Sequence, residues 1–245
     1  MNGVERRAPH MLRKLMNVPR RAYAWVRRAI GNVFFERPAG IETASVVLLN
    51  ELGLADPNRK NYHPTPWLAL KRVLREDEVT DRDVFIDFGC GKGRILYQAA
   101  MYPFRRVIGV EISPELAQIA RDNIERSLPN LKCRNVEVVT TDVMNYELPD
   151  DVTMVYFFNP FHGKVFAAVL ETILASLQRR PRELTIIYLD PSEEQALLDA
   201  GAKLVKATSG MRPTKTWARE NSIRMYKLGV AAAAQPAPPG AGQNV

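Results

Sequence analysis

Apolar runs of strand length alternate with stretches of helical period over residues 81–229. Residues 84–88, Val-Phe-Ile-Asp-Phe, are long enough for a buried strand and too short for a helix. Residues 107–110, 136–140, 152–158 and 183–190 repeat that signal. Between them, residues 92–101, 114–126 and 161–177 space their apolar side chains helically, with Pro114 suited to a first helical turn. A shorter helix is predicted over 193–200, closed by Gly201, and two last strands over 203–208 and 223–228. Alternation of this kind predicts an α/β domain with a parallel sheet.

The chain ahead of that domain is patterned differently. Residues 20–35 read as an amphipathic helix, with Tyr23, Val26, Ile30, Val33 and Phe34 on one face and Arg20, Arg21, Arg27 and Arg28 on the other. An apolar helical run over 41–54 stops near Gly53 and Asp56-Pro57. Residues 61–67, Asn-Tyr-His-Pro-Thr-Pro-Trp, form an aromatic segment stiffened by two prolines, and a helix over 67–75 leads into the first strand. Residues 231–245 are Ala, Pro, Gly and Gln without periodicity, which predicts a disordered tail. The expected units are a basic N-terminal arm (1–40), a helical lid or connector (41–80), the α/β domain (81–229) and the tail (230–245).

Composition narrows the class. A chain of 245 residues with 46% hydrophobic content can bury one sizeable core. It has no run of the ~18 apolar residues that a membrane span needs, and basic residues interrupt the N-terminus where a signal-peptide core would lie. Cys90 and Cys133 lie far apart, a usage that fits a reducing cytoplasm better than a disulfide scaffold. With His10, His63 and His162 they make no metal-ligand cluster, so no metal is expected.

The net charge of +7 has one address. Residues 1–40 hold nine basic residues and two acidic ones, and the rest of the chain is balanced. Three readings of this arm stay open. It attaches to an anionic surface, membrane or nucleic acid. It packs on the domain and leaves a solvated basic face. Or it is an organellar targeting segment, against which its scarcity of serine counts.

The candidate chemistry begins where the first strand breaks into Gly89-Cys90-Gly91-Lys92-Gly93. Strand, glycine turn and helix let a ligand approach the backbone, because a Cβ there would hold it away. A dinucleotide fingerprint requires G-x-G-x-x-G, and Arg94 stands where the third glycine would fall. The spacing is instead G-x-G-x-G, with Asp87 two residues ahead. A glycine turn that binds nothing is the plain alternative. The neighbours decide against it: Glu111 ends the second strand, Asp142 follows the third, and Asn159-Pro160-Phe161-His162 end the fourth. In this order the motifs resemble the class I (seven-strand) S-adenosylmethionine-dependent methyltransferases over about residues 60–228. Asp-x-Gly-x-Gly-x-Gly-Arg followed by Gly-Val-Glu-Ile-Ser-Pro-Glu-Leu is similar to the non-SET protein-lysine methyltransferase branch.

The resemblance implies an α/β, Rossmann-like fold: a seven-stranded, mostly parallel sheet with helices on both faces, a terminal hairpin and an N-terminal helical extension. It implies S-adenosylmethionine held by Asp87, Gly89, Cys90, Gly91 and Gly93. Glu111, beside Ile112, accepts from both ribose hydroxyls, and Asp142, beside Val143, binds the adenine amino group. Thr65 and Asn159 complete the cofactor set. Tyr62, Asn159, Pro160 and Phe161 are the implied catalytic residues. Tyr62, Thr65 and Trp67 are read as a lid over cofactor and substrate, or else as a stiff connector whose aromatics cover the core. Phe161 stands where the amino-methylating N-P-P-Y pattern has its second proline, which leaves the acceptor unspecified.

Methyl transfer from a sulfonium asks mainly for alignment and a water-poor pocket. An amine acceptor must be neutral to attack. Asn159 Oδ1 and the Pro160 carbonyl are expected to accept from it, with Phe161 walling the methyl group or stacking on a planar acceptor. His162 is read as a general base or as an exposed, capping residue. The expected function is methyl transfer to a nitrogen such as a protein lysine, by a cytoplasmic protein with peripheral membrane contact left open. The alternatives are a scaffold that binds cofactor without turnover, or a nucleic-acid or small-molecule methyltransferase. The balanced charge of the domain counts against nucleic acid.

Overall fold

The computed structural model describes Val26, residues 29–208 and residues 222–229. Seven strands form one sheet: β1 (Val84–Phe88), β2 (Arg106–Glu111), β3 (Val136–Thr140), β4 (Met154–Phe157), β5 (Leu184–Leu189), β6 (Lys203–Thr208) and β7 (Ile223–Leu228). The longer helices are α1 (Arg94–Ala100), α2 (Pro114–Ser127), α3 (Gly163–Arg179) and α4 (Glu194–Asp199). The strand order is β3-β2-β1-β4-β5-β7-β6, with β7 antiparallel to both neighbours and the other pairs parallel. This is the Rossmann-like, mostly parallel sheet with a terminal hairpin that the motif order implied.

Period two along each strand builds two cores, one per face. Val84, Ile86 and Phe88 join Val155, Phe157, Ile186 and the α3 residues Phe166 and Ile173 on one side. Phe85 joins Val107, Tyr156, Ile187 and the α1 residues Ile95, Leu96 and Ala99 on the other. The strand order reverses between β1 and β4, so the loops after these two strands diverge over a crevice at their carboxyl ends. That is where open α/β sheets bind ligands.

Element bounds shift where side chains decide them. α1 starts at Arg94, because Gly93 takes φ +80° as its cap. α3 starts at Gly163, because His162 ahead of it is extended.

The segment before β1 corrects the sequence reading. The helix expected over 41–54 is absent: these residues form turns and one bridge, Val47 to Tyr62. Side chains from elsewhere take the backbone groups a helix would use. Thr43 N–H donates to Glu36 Oε1, Glu42 N–H to Asn123 Oδ1 and Leu49 N–H to Asn61 Oδ1. Long-range polar partners have overridden local propensity. The helix expected over 67–75 shrinks to a 3₁₀ turn, Leu70–Arg72, because Leu68 takes φ +64°. Of the arm, residues 29–31 are α-helical and widen into a π-helical turn, Asn32–Glu36, then a short α-helical turn, Arg37–Ala39. The rest of the expected helix, save Val26, and the expected tail lie outside the described residues.

Candidate cofactor-binding site

Two carboxylates sit in the crevice. Asp87 in β1 and Glu111 at the end of β2 are both buried. Glu111 Oε2 accepts from Gly91 N–H at 2.8 Å and its Oε1 from Ser113 N–H at 2.9 Å. Burial pushes the Glu111 carboxyl above the usual range despite these bonds, which pull the other way. Burial, then the charge of Glu111, holds Asp87 well above it too.

The glycine loop between them is pinned and crowded. Gly89 and Cys90 N–H both donate to the Val110 carbonyl, at 2.8 and 3.1 Å, which ties the loop to β2. Gly89 and Gly91 take φ of +83° and +54°. A Cβ on Gly89 would lie 2.6 Å from Pro160 Cβ, and one on Gly91 would lie 2.2 Å from the Tyr62 ring. The loops after β1 and β4 and the segment around Tyr62 therefore meet at backbone distance, which only glycine permits. The Cys90 thiol is buried and raised in pKa by that burial first, so it is inert here.

Residues 59–65 roof the crevice. Tyr62 OH donates to the Thr43 carbonyl at 2.9 Å, and burial raises its pKa, so the phenol stays protonated. Lys60 N–H donates to the Pro160 carbonyl at 3.0 Å. Arg59 pairs with Asp142 at 2.5 Å. The resulting cavity is lined among others by Tyr62, Thr65, Asp87, Gly89, Glu111 and Phe161. Cys90, Ile112, Val143 and Pro160 also line it, so most of the expected cofactor set converges on one space.

The expectation for Asn159 needs correction. This residue takes φ +42° and Asp190, at the end of β5, takes φ +52°. Asn159 Nδ2 donates to the Asp190 carbonyl, while its Oδ1 accepts from Ser192 N–H at 3.2 Å and Ser192 Oγ at 2.8 Å. Both lone pairs of that oxygen are engaged, so it is not turned toward an acceptor. Nor does Asn159 cap α3, where His162 holds the cap position without a side-chain bond. The Pro160 carbonyl, the other expected acceptor, already receives Lys60 N–H. Phe161 is buried against Phe157 and Phe166 and stands on the cavity wall. His162 Nδ1 is buried and makes no hydrogen bond.

One residue that sequence reasoning passed over joins the whole site. Arg94, which closes the Asp-x-Gly-x-Gly-x-Gly-Arg motif but was given no role of its own, is buried at the start of α1. It donates to Thr43 Oγ1 at 2.6 Å, to the Thr65 carbonyl at 2.9 Å and to Glu36 Oε1 at 2.6 Å. Its guanidinium carbon also lies 4.7 Å from the centre of the Trp67 ring. Arg94 thus fastens the arm, the 41–45 turn and the roof to the glycine loop. Arg59 was missed as well. Arg59 is not distinguishable in sequence from a surface arginine, whereas the place of Arg94 at the end of the glycine motif was a signal that could have found it.

The donor set fits a nucleoside. Buried carboxylates beside a glycine turn can accept from paired hydroxyls and an amino group, and the Tyr62 ring and the Pro160 side chain lie against Gly91 and Gly89 beside them. Residues 85–183 match the family model described as a methyltransferase domain. The similarity to a methyltransferase domain thus spans β1 to the end of α3 and the turn after it. A protein-lysine N-methyltransferase of Saccharolobus islandicus is 39% identical over 67 residues, covering 27% of this chain and 42% of that protein. A ribosomal protein L11 methyltransferase of Escherichia coli is 42% identical over 65 residues, covering 26% of this chain and 22% of that protein. The chain therefore spans less than half the length of these curated relatives. An RNA methyltransferase structure from Salinibacter ruber, in complex with S-adenosyl-L-homocysteine, aligns with TM-score 0.46 and 21% identity, over 74% of this chain and 99% of that one. Among the described residues there is no group of His, Cys, Asp and Glu able to hold a metal.

Proposed function

We propose that this protein transfers a methyl group from S-adenosylmethionine to a nitrogen acceptor, the side chain of a protein lysine. The observation that carries the cofactor is the pairing of buried Glu111 with the Gly91 N–H across a cradle of positive-φ glycines. Asp87, Gly89, Cys90, Gly91 and Gly93 would hold the methionine part, Glu111 and Ile112 the ribose, and Asp142 and Val143 the adenine, with Thr65 on the roof. Bound there, S-adenosylmethionine supplies an electrophilic methyl on a sulfonium, a good leaving group.

The chain's own contribution is exclusion of water and alignment. Tyr62 and Phe161 line the cavity with aromatic carbon, and Pro160 closes it beside Gly89. A lysine stem fits such a wall, and desolvation lowers the pKa of an ammonium, so the amine enters in its reactive neutral form. Asn159 acts here as a positioning residue: it holds Pro160 and Phe161 by tying the β4 exit to Asp190 and Ser192. Similarity to a protein-lysine methyltransferase supports the acceptor class, as does the balanced charge of the chain beyond residue 40, since phosphate contacts draw on an excess of Lys and Arg.

The test is incubation of the purified chain with methyl-labelled S-adenosylmethionine and a lysate split into protein, nucleic acid, lipid and small molecules. Label in protein that hydrolyses to methyl-lysine is the expected result. Label in nucleic acid would overturn the acceptor and keep the cofactor. No binding of S-adenosylmethionine by calorimetry would overturn both.

A further inference from the structure

We infer that the helical segment leading into the domain docks on an anionic lipid bilayer through its outer face. A surface helix normally turns its apolar stripe toward the core. This one does the reverse. Its inward positions are Gly31, whose Cβ would lie 2.9 Å from the Trp67 ring, Phe35, stacked on Trp67 at 5.1 Å, and Glu36, paired with Arg94. The positions that the sequence pattern groups as apolar face solvent: Val26 is 46% exposed, Ile30 50%, Val33 49% and Phe34 69%. Four large apolar side chains on one helical face form a patch that requires a partner.

Charge selects that partner. Residues 1–40 carry the whole net charge of +7, and one of their two acids, Glu36, is turned into the domain. A second copy would bring two such arms together and repel. A nucleic acid would take the arginines and leave Val33 and Phe34 in water, since phosphate contacts use cations alone. A bilayer with anionic headgroups takes both, with the apolar stripe at the acyl boundary and the cations at the phosphates. The inference is independent of the methyl acceptor.

The test uses the full chain and sedimentation with vesicles. Binding is expected to vesicles of equal phosphatidylglycerol and phosphatidylcholine and not to phosphatidylcholine alone. The double variant V33D/F34D should bind the anionic vesicles more weakly by on the order of tenfold or more, having lost two buried apolar contacts. Its unfolding transition should match the wild type, since both side chains are exposed. As a second readout that does not depend on that variant folding, F34W should be quenched by brominated acyl chains in anionic vesicles. Unchanged vesicle binding by V33D/F34D, or no quenching of F34W, overturns the inference. So does a wild-type dimer that V33D/F34D converts to monomer, which would make the patch an interface between copies. Binding of a polynucleotide with no binding of vesicles overturns it in favour of nucleic acid.

Discussion

Glu36 and Arg94 form an ion pair at 2.6 Å, and both side chains are more than nine-tenths buried. One lies in the arm ahead of the domain and the other in the first helix after the glycine loop. Removing one charge strands the other away from water. Glu36→Ala should therefore cost about 3–5 kcal/mol of stability, measured by urea unfolding. The same pair sets where the arm can be cut. A chain beginning at Phe35 should unfold like the full chain, whereas one beginning after Glu36 should lose stability comparably to the point variant. Equal stability of the two truncations would show the pair to be dispensable.

Gly91 and Tyr62 offer a second test. Gly91→Ala puts a non-glycine at φ +54° and a Cβ into the Tyr62 ring. The backbone alone costs about 1–2 kcal/mol, and loss of the Tyr62–Thr43 hydrogen bond adds about 1 kcal/mol. In a Tyr62→Ala background the steric part disappears, so the two substitutions should be less than additive in a double-mutant cycle. Strict additivity would mean that the ring is not seated on the glycine in solution.

Cofactor affinity should depend on pH through Glu111 and Asp87. Their pKa values are raised, by burial in the first place, so the folded protein binds these protons more tightly than the unfolded chain. Stability of the cofactor-free protein then falls as pH rises through the interval between the ordinary and the raised values. Under the proposed cofactor assignment binding runs the other way, because an ionised carboxylate can accept from two hydroxyls at once and a protonated one cannot. Affinity for S-adenosylmethionine should weaken on acidification, starting at a higher pH than an exposed glutamate would give. Calorimetry across pH checks this, and Glu111→Gln should bind weakly with a flatter profile.

Asn159→Ala separates alignment from binding. It removes the links to Asp190 and Ser192 and leaves alanine at φ +42°. Stability should fall by about 2 kcal/mol, from the left-handed backbone and the lost hydrogen bonds. Asn159→Gly relieves the backbone but not the links, so it should be the more stable of the two. If Asn159 positions Pro160 and Phe161, both variants should lower kcat by on the order of tenfold while Kd for the cofactor changes little. Unchanged kcat per folded molecule in Asn159→Gly would make the clasp purely structural.

The strands, their order along the chain, the glycine cradle and the acids at the ends of β1 and β2 were legible in the sequence. These rest on local signals: period-two burial, the exclusion of Cβ, and a carboxylate next to a turn. β3, β6 and β7 fall on the residues expected of them. What sequence alone could not reach is set by contacts between distant residues. The helical reading of 41–54 failed because Glu36, Asn61 and Asn123 claim its backbone N–H groups. Asn159 was read as facing an acceptor, but only the approach of the β5 loop decides that its amide faces Ser192. Arg59 carries no local mark of burial, because an arginine's surroundings are fixed by whatever carboxylate the fold brings to it. The apolar stripe of residues 26–34 was visible as a stripe. That it faces outward was decided by Trp67 and Arg94, which hold the opposite face of the same helix.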